Sequence, residues 1–373
     1  MSSFIRRATA AGLLVASIGL GTAVEASASP WPAPAVPASA SVTAAQAGAT
    51  WLGKQFTGKD FENGGVADPS YTVQAVLAFA ASGVGGTKAK AAMGWLEKNF
   101  ESYVSDDGVD DPGALAYVIL AAQAMSDNPK AFGGKKKQNN LIDRLEATQQ
   151  TSGSDAGLFG SQDPTYDGAF RQGLALMALA NQGIPSTNAT VVAGVTWLQN
   201  QQCSDGGWEA YRSDTTTACP APDPDTYAGP DTNSTSLAVM GLVATGSSFP
   251  VDPLGFFESA QNADGGFGYI GASSQSPDPD STGEVIQALV ALGQLSNAAF
   301  TQAGDATPVT ALASFQLGCS ASKADRGAYT FPGEEGANLL ATLQAVPGAA
   351  EAAFPLKAQT LRNSLPKLTC PAH

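Results

Sequence analysis

Acidic side chains recur where polar stretches give way to apolar runs: Asp68, Asp110 and Asp111, Asp163 and Asp167, Asp231, Asp278 and Asp280, and Glu334 and Glu335. Each run reads as a helix start, and two kinds of chemistry are open to an acid there. It can cap free backbone N–H groups and complement the positive end of the helix dipole. Gathered at one end of a barrel, the same acids would instead form a rim able to grip a cation, a sugar or a reacting alkene. Glycoside hydrolysis needs two facing carboxylates, and spacing along the chain does not measure their separation. Asn233 stands two places after Asp231, inside the same start. Aromatic residues in the neighbouring loops, Tyr166, Trp208, Tyr211, Tyr227, Phe267, Tyr269 and Tyr329, are placed to line or roof a cavity.

Other chemistries are excluded by what the chain lacks. Its one histidine is His373, near the end of the sequence, so no Ser-His-Asp or Cys-His arrangement can be built. The four cysteines suit disulfides better than metal, so no zinc site is expected. No cofactor is expected either. Four cysteines allow three pairings. Cys203 with Cys219 would staple one long loop, and Cys319 with Cys370 would tie down the C-terminal tail.

Two kinds of segment must position these residues. One kind carries apolar residues at helical spacing and often ends in an aromatic-Leu pair: 43–56, 87–100, 138–149, 188–201, 252–261 and 307–316. Val191, Val195 and Leu198 fall on one face of the fourth, as in an amphipathic helix. The other kind begins at an acid and is apolar nearly all round: 68–83, 111–125, 163–183, 231–246, 280–293 and 334–346. Helices of that composition belong in an interior. Six alternating pairs, none able to bury its own apolar face, predict an all-α fold. The expected form is an (α/α)6 toroid with the apolar helices inside. An open superhelix of the same hairpins is the structural alternative.

The toroid is expected to span residues 43–373. Residues 1–28 read as a signal peptide: Arg6 and Arg7, the apolar stretch Ala10 to Val24, and the small-residue cleavage site Ala26-Ser27-Ala28. Residues 29–42 form a Pro/Ala/Ser linker. Secretion, with cleavage after about Ala28, follows from that leader and accords with an even cysteine count. No stable membrane anchor is expected, because no later run reaches about 18 apolar residues. The net charge of −14 repels phosphate backbones and argues against nucleic acid. The basic run Lys135-Lys136-Lys137 reads as a solvated loop. A monomer is expected.

The turns between helices carry a more specific signal. Gln202-Cys203-Ser204-Asp205-Gly206-Gly207-Trp208 and Gln261-Asn262-Ala263-Asp264-Gly265-Gly266-Phe267 share a Q-x-x-x-G-x-aromatic pattern. Looser copies run from Gln150 to Phe159 and from Gln316 to Tyr329. These resemble the repeats of the squalene-cyclase and protein-prenyltransferase superfamily, over residues 43–346. The resemblance implies an α/α toroid. It also implies a class II cyclase motif, D-x-D-D-T, whose middle Asp protonates an alkene or epoxide. Asp231-Thr232-Asn233-Ser234-Thr235 has Asn at the donor's place. Asp278-Pro279-Asp280-Ser281-Thr282 keeps the first Asp, the middle Asp and the Thr. Asp280 is therefore the candidate general acid, with Asp278 beside it, and a turn followed by a cap is the plainer reading of the same residues.

Three functions are consistent with this reading. The first is a secreted, non-catalytic protein holding a small apolar or amphipathic molecule, isoprenoid- or corrinoid-like, in its central cavity. The second is a cyclase-like enzyme with Asp280 as acid. The third is an extracellular glycan-cleaving enzyme that uses rim carboxylates.

Overall fold

Asp68 shows how the chain is punctuated. Its side chain accepts from the Tyr71 N–H at 3.1 Å, and Pro69 follows at the first helical position. A Gly83 in the left-handed region ends the same helix. The computed structural model describes residues 42–133, 139–161 and 168–370. The leader, most of the linker, the Lys135-Lys136-Lys137 run, Asp163, Tyr166, Asp167 and His373 lie outside the described residues.

The helices alternate as the apolar patterning predicts. Those burying a stripe are α1 (Ala44–Gln55), α3 (Gly86–Asn99), α6 (Leu141–Ala147), α8 (Ala189–Asn200), α10 (Leu254–Ala260) and α12 (Pro308–Ser314). In α8 that stripe is Val191, Gly194, Trp197 and Leu198. Those buried on most sides are α2 (Pro69–Ser82), α5 (Pro112–Ala124), α7 (Ala169–Asn181), α9 (Thr232–Thr245), α11 (Pro279–Ala291) and α13 (Leu339–Ala349). The remaining α-helix among the described residues, α4 (Glu101–Val104), is a single turn. Two small hairpins precede the first two inner helices: β1 (Phe61–Asn63) with β2 (Val66–Asp68), and β3 (Ser105–Asp106) with β4 (Val109–Asp110).

The inner helices close a ring. Each packs on the next, α2 on α5, α5 on α7, α7 on α9, α9 on α11 and α11 on α13, and α13 returns to α2. The fold is an (α/α)6 toroid, not an open superhelix. Repeated glutamines bind the outer layer. Gln202 Nε2 donates to its own turn at Gly206 O and to Val251 O at the entry to the next outer helix, both at 2.8 Å. Gln261 makes the same pair of bonds to Gly265 O and Phe300 O. Gln149, not the expected Gln150, reaches Gly157 O and Thr190 O. Gln316 donates to Gly327 O and to Ala44 O, which fastens the last outer turn to the first outer helix.

Two pairs of neighbouring inner helices cross at glycine. A Cβ on Gly241 would stand 2.8 Å from the Gly173 Cα, where α9 meets α7. A Cβ on Gly348 would stand 2.7 Å from the Gly283 Cα, where α13 meets α11. Backbones that approach this closely leave little width between them. The chain beyond α13 then crosses the C-terminal ends of the inner helices. Gln359 N–H donates to Ala124 O at 2.9 Å, Arg362 N–H to Gly83 O at 3.0 Å, and Asn181 Nδ2 to Leu356 O at 3.1 Å. Ala352, Ala353, Phe354 and Leu356 are buried along that path.

Both candidate disulfides are formed, Cys203–Cys219 and Cys319–Cys370. Among the described residues no helix is long and apolar enough to cross a membrane.

Candidate functional site

Inner helices begin with a clasp that recurs. Asp231 accepts from the Ser234 N–H at 2.6 Å, and Asp278 from the Ser281 N–H at 2.7 Å. Four residues after the cap comes a threonine. Thr235 Oγ1 donates to Asp231 O at 2.6 Å and accepts from the Trp208 N–H at 2.9 Å. Thr282 Oγ1 accepts from the Phe267 N–H at 3.0 Å, Thr342 Oγ1 from Tyr329 N–H at 2.9 Å, and Thr72 Oγ1 from Phe61 N–H at 3.1 Å. At α7, Gln172 Oε1 takes that place and accepts from the Phe159 N–H at 2.9 Å. Thus the outer letters of D-x-D-D-T, Asp278 and Thr282, are occupied in holding a turn against a helix. The middle one, Asp280, is not.

The aromatics of these turns are part of the clasp. Trp208, Phe267 and Tyr329 are fully buried and pack between hairpins. They do not roof a cavity. Trp208 Nε1 donates to Leu198 O at 2.8 Å. Tyr227 and Tyr269 do reach the surface, with ring centroids 6.4 Å apart. Tyr211 donates to Asp155 Oδ2 at 2.9 Å.

Two expected helix starts differ from the acid pattern. The cap of α13 is Asn338, and Glu334 and Glu335 lie exposed in the preceding loop, with Glu334 Oε2 accepting from Asn338 Nδ2 at 2.7 Å. Asn caps as well as Asp does, so the acids were read four residues early. The start of α7 has Gly168 at the cap and no side-chain bond there; the Ala169 N–H donates to Ala210 O instead. At α5, Asp111 caps Ala114 N–H and pairs with Arg171 at 3.0 Å, while Asp110 pairs with Arg144 at 2.6 Å. Asn233 is partly buried and its Oδ1 accepts from Thr232 Oγ1 at 3.3 Å.

Asp280 begins a polar line down one face of α11. Spacings of four and three residues carry it to Glu284 and Gln287. Glu284 is 6% exposed and Gln287 1%. Asp280 Oδ1, Glu284 Oε2 and both amide atoms of Gln287 are buried without a hydrogen-bond partner among the described residues. Burial, with Asp278 and Glu334 nearby, pushes Asp280 up to about 7. Burial, with Asp280 nearby, pushes Glu284 up to about 8. Burial raises Asp278 too, against the pull of its Ser281 hydrogen bonds. Burial likewise pushes Asp231 up to about 7, again against Ser234.

Glu284 and Gln287 face a hollow shared with Gln74 and Leu77 of α2, Tyr117 of α5, Leu343, Gln344 and Pro347 of α13, and Phe354 of the tail. The volume open to water centres is about 20 Å³, room for one or two waters. The lining is mixed, with hydrogen-bonding side chains beside apolar ones. Gln123 of α5, by contrast, is satisfied. Gln123 donates to Ala178 O at 3.1 Å and accepts from Asn181 at 2.7 Å. Among the described residues, the other buried side-chain atoms without a partner are Ser236 Oγ of α9, Trp51 Nε1 and Tyr329 OH. The lining residues were not singled out from sequence. Their signal was there: a Glu and a Gln one turn apart inside an otherwise apolar helix.

A metal-like grouping occurs at Cys203, Glu209 and Cys219, but those cysteines are bonded to each other.

Residues 114–252 match the squalene-hopene cyclase C-terminal domain family. That match bears out the resemblance to the squalene-cyclase and protein-prenyltransferase superfamily. Among solved structures, the protein geranylgeranyltransferase-I of Candida albicans, complexed with GGPP, is similar at TM-score 0.47 and 9% identity, over 74% of this chain and 82% of its own. A protein from Actinoplanes is similar at TM-score 0.45 and 14% identity, over 83% and 98%. Among curated proteins there is no match.

Proposed function

We propose that this protein is an exported ligand-binding toroid that takes the polar group of a small amphipathic molecule into the hollow between α2, α5, α11 and α13. The observation that carries this reading is the set of buried, unpartnered atoms at Glu284 and Gln287 on the wall of that hollow. A buried donor or acceptor without a partner costs about 1–3 kcal/mol. A ligand that completes these bonds recovers that cost. Leu77, Leu343 and Phe354 supply an apolar side for the rest of the molecule. The two disulfides accord with export.

The test is native mass spectrometry of protein purified from its own secretion, with Gln287→Leu as the control. A bound small molecule on the wild type, lost from the variant, is expected. Equal retention by both would place the ligand elsewhere. Its absence from both would count against binding.

One observation favours a second reading, proton donation by Asp280. Its carboxyl is free of the cap and is held near neutrality by burial. Incubation with polyprene substrates, comparing wild type and Asp280→Asn, tests this. Cyclised product from the wild type alone supports it, and no product from the wild type removes it.

A further inference from the structure

We propose that the polar group bound in the hollow is a cation of ammonium size, the head of a primary amine, held by Glu284, Gln287 and the oxygens of Gln74, Tyr117 and Gln344. This rests on the binding reading given above and names the chemistry of its ligand.

Three observations converge on a positive charge. The first is the set of groups that face the hollow. Glu284 supplies a carboxyl, the glutamines supply amide oxygens, and Tyr117 a phenol; among the described residues no Lys or Arg lines the space. Arg171 is held away at the start of α5 by Asp111. The second is the surroundings of Glu284. On its own helix Asp280 stands one turn above it, with Asp278 at the helix start and Glu334 in the loop before α13 acting on Asp280. From α5 it faces Tyr117, itself raised by burial, Glu284 and Tyr103. The charged group that acts on Glu284 is an acid, Asp280, so a cation relieves the crowding. The third is size. Room for one or two waters suits an –NH3+ group and its first methylene. The aromatic rings of Tyr117 and Phe354 on the same wall suit a cation next to an alkyl stem. Gln287 is the independent sign of a ligand. It is 1% exposed, lines the hollow, and leaves both amide atoms unpartnered.

Binding moves a proton. Glu284 is neutral in the free protein near pH 7. When R–NH3+ enters, the Glu284 O–H bond breaks, the proton goes to the buffer, and the carboxylate pairs with the ammonium. An alkali metal ion would act the same way on Glu284 but would leave the apolar wall unused.

The experiment uses the disulfide-bonded protein and three probes at pH 7: n-butylammonium, n-butanol and potassium ion. Titration calorimetry is run in two buffers of different ionisation enthalpy. We expect butylammonium to bind at least about tenfold more tightly than butanol or potassium, since hydrogen bonds between charged groups are the stronger ones. We also expect release of about one proton per amine. Glu284→Gln, nearly isosteric, should lose both the preference for the amine and the proton release. Butanol binding as tightly as the amine would overturn the charge assignment and leave the binding reading standing. Potassium binding as tightly would overturn the amine assignment. No heat from any probe would overturn both the inference and the reading beneath it. The proton count in the wild type needs no variant to fold.

Discussion

At the scale of single residues, the D-x-D-D-T resemblance divides into two jobs. Asp278 and Thr282 hold the turn at Phe267 to α11, and Asp280 is left over. Replacing Thr282 by Val keeps the shape but leaves the buried Phe267 N–H unpaired. A loss of about 1–3 kcal/mol is expected in urea unfolding; a change near zero would show the clasp to be incidental. The acids that do not pair make a different forecast. Asp280 and Glu284 have folded pKa values above their ordinary ones, and Asp231 and Asp278 share that direction. The folded chain then binds more protons than the unfolded chain between about pH 4 and 8. Stability from these groups is therefore present at low pH and lost as pH rises through that window. Tm should be higher at pH 5 than at pH 8. The double variant Asp280→Asn, Glu284→Gln should flatten that slope, and an unchanged slope would refute the assignment. Legibility at this scale was uneven. Asp280 was visible as the surviving letter of a motif. Glu284 and Gln287 have no motif, and only their surroundings in space separate them from Gln123 and Gln172, which are satisfied.

At the scale of elements, the repeat is a device for joining neighbours. Gly265 sits at φ 88°, and a Cβ there would lie 2.6 Å from Thr307 O at the start of the next outer helix. Only glycine accepts both conditions. Gly265→Ala should cost about 1–3 kcal/mol, by strain and by forcing the hairpins apart. Gly255→Ala, within α10 where a Cβ would meet nothing, should be neutral or stabilise by up to about 1 kcal/mol. Equal effects at the two sites would contradict the role given to the turn. The helices themselves were legible from periodicity and caps. The starts of α7 and α13 were not, because Asn338 does the work expected of an acid at α13, and at α7 the cap is Gly168, with the Ala169 N–H bonded to Ala210 O. The four short strands fell below what alternation can signal in two or three residues.

At the scale of the whole molecule, closure of the ring was legible as six unfinished hairpins, but the close approach of neighbouring inner helices was not. Gly173 against Gly241 and Gly283 against Gly348 draw two pairs of inner helices together, and no single helix pattern records a crossing between two of them. The tail adds to this by laying Phe354 against the hollow. Its tether, Cys319–Cys370, spans 51 residues. In the chain-entropy model, such a link is worth about 4 kcal/mol. The double variant Cys319→Ser, Cys370→Ser should lose stability on that order in urea unfolding, and more than Cys203→Ser, Cys219→Ser, whose separation of 16 gives about 3 kcal/mol. The reverse order would show that the tail is held by its packing alone.

The central claim is that Glu284 and Gln287 are kept unpartnered inside the ring for a ligand. A crystal structure of the protein as purified, at a resolution that shows ordered solvent, tests it most directly. The expected result is density larger than ordered water in the hollow, within hydrogen-bond distance of Glu284 Oε2 and the Gln287 amide; water alone in that space would contradict the claim. It is contradicted if those side chains are bonded to protein groups and the space between α2, α5, α11 and α13 is filled by their neighbours.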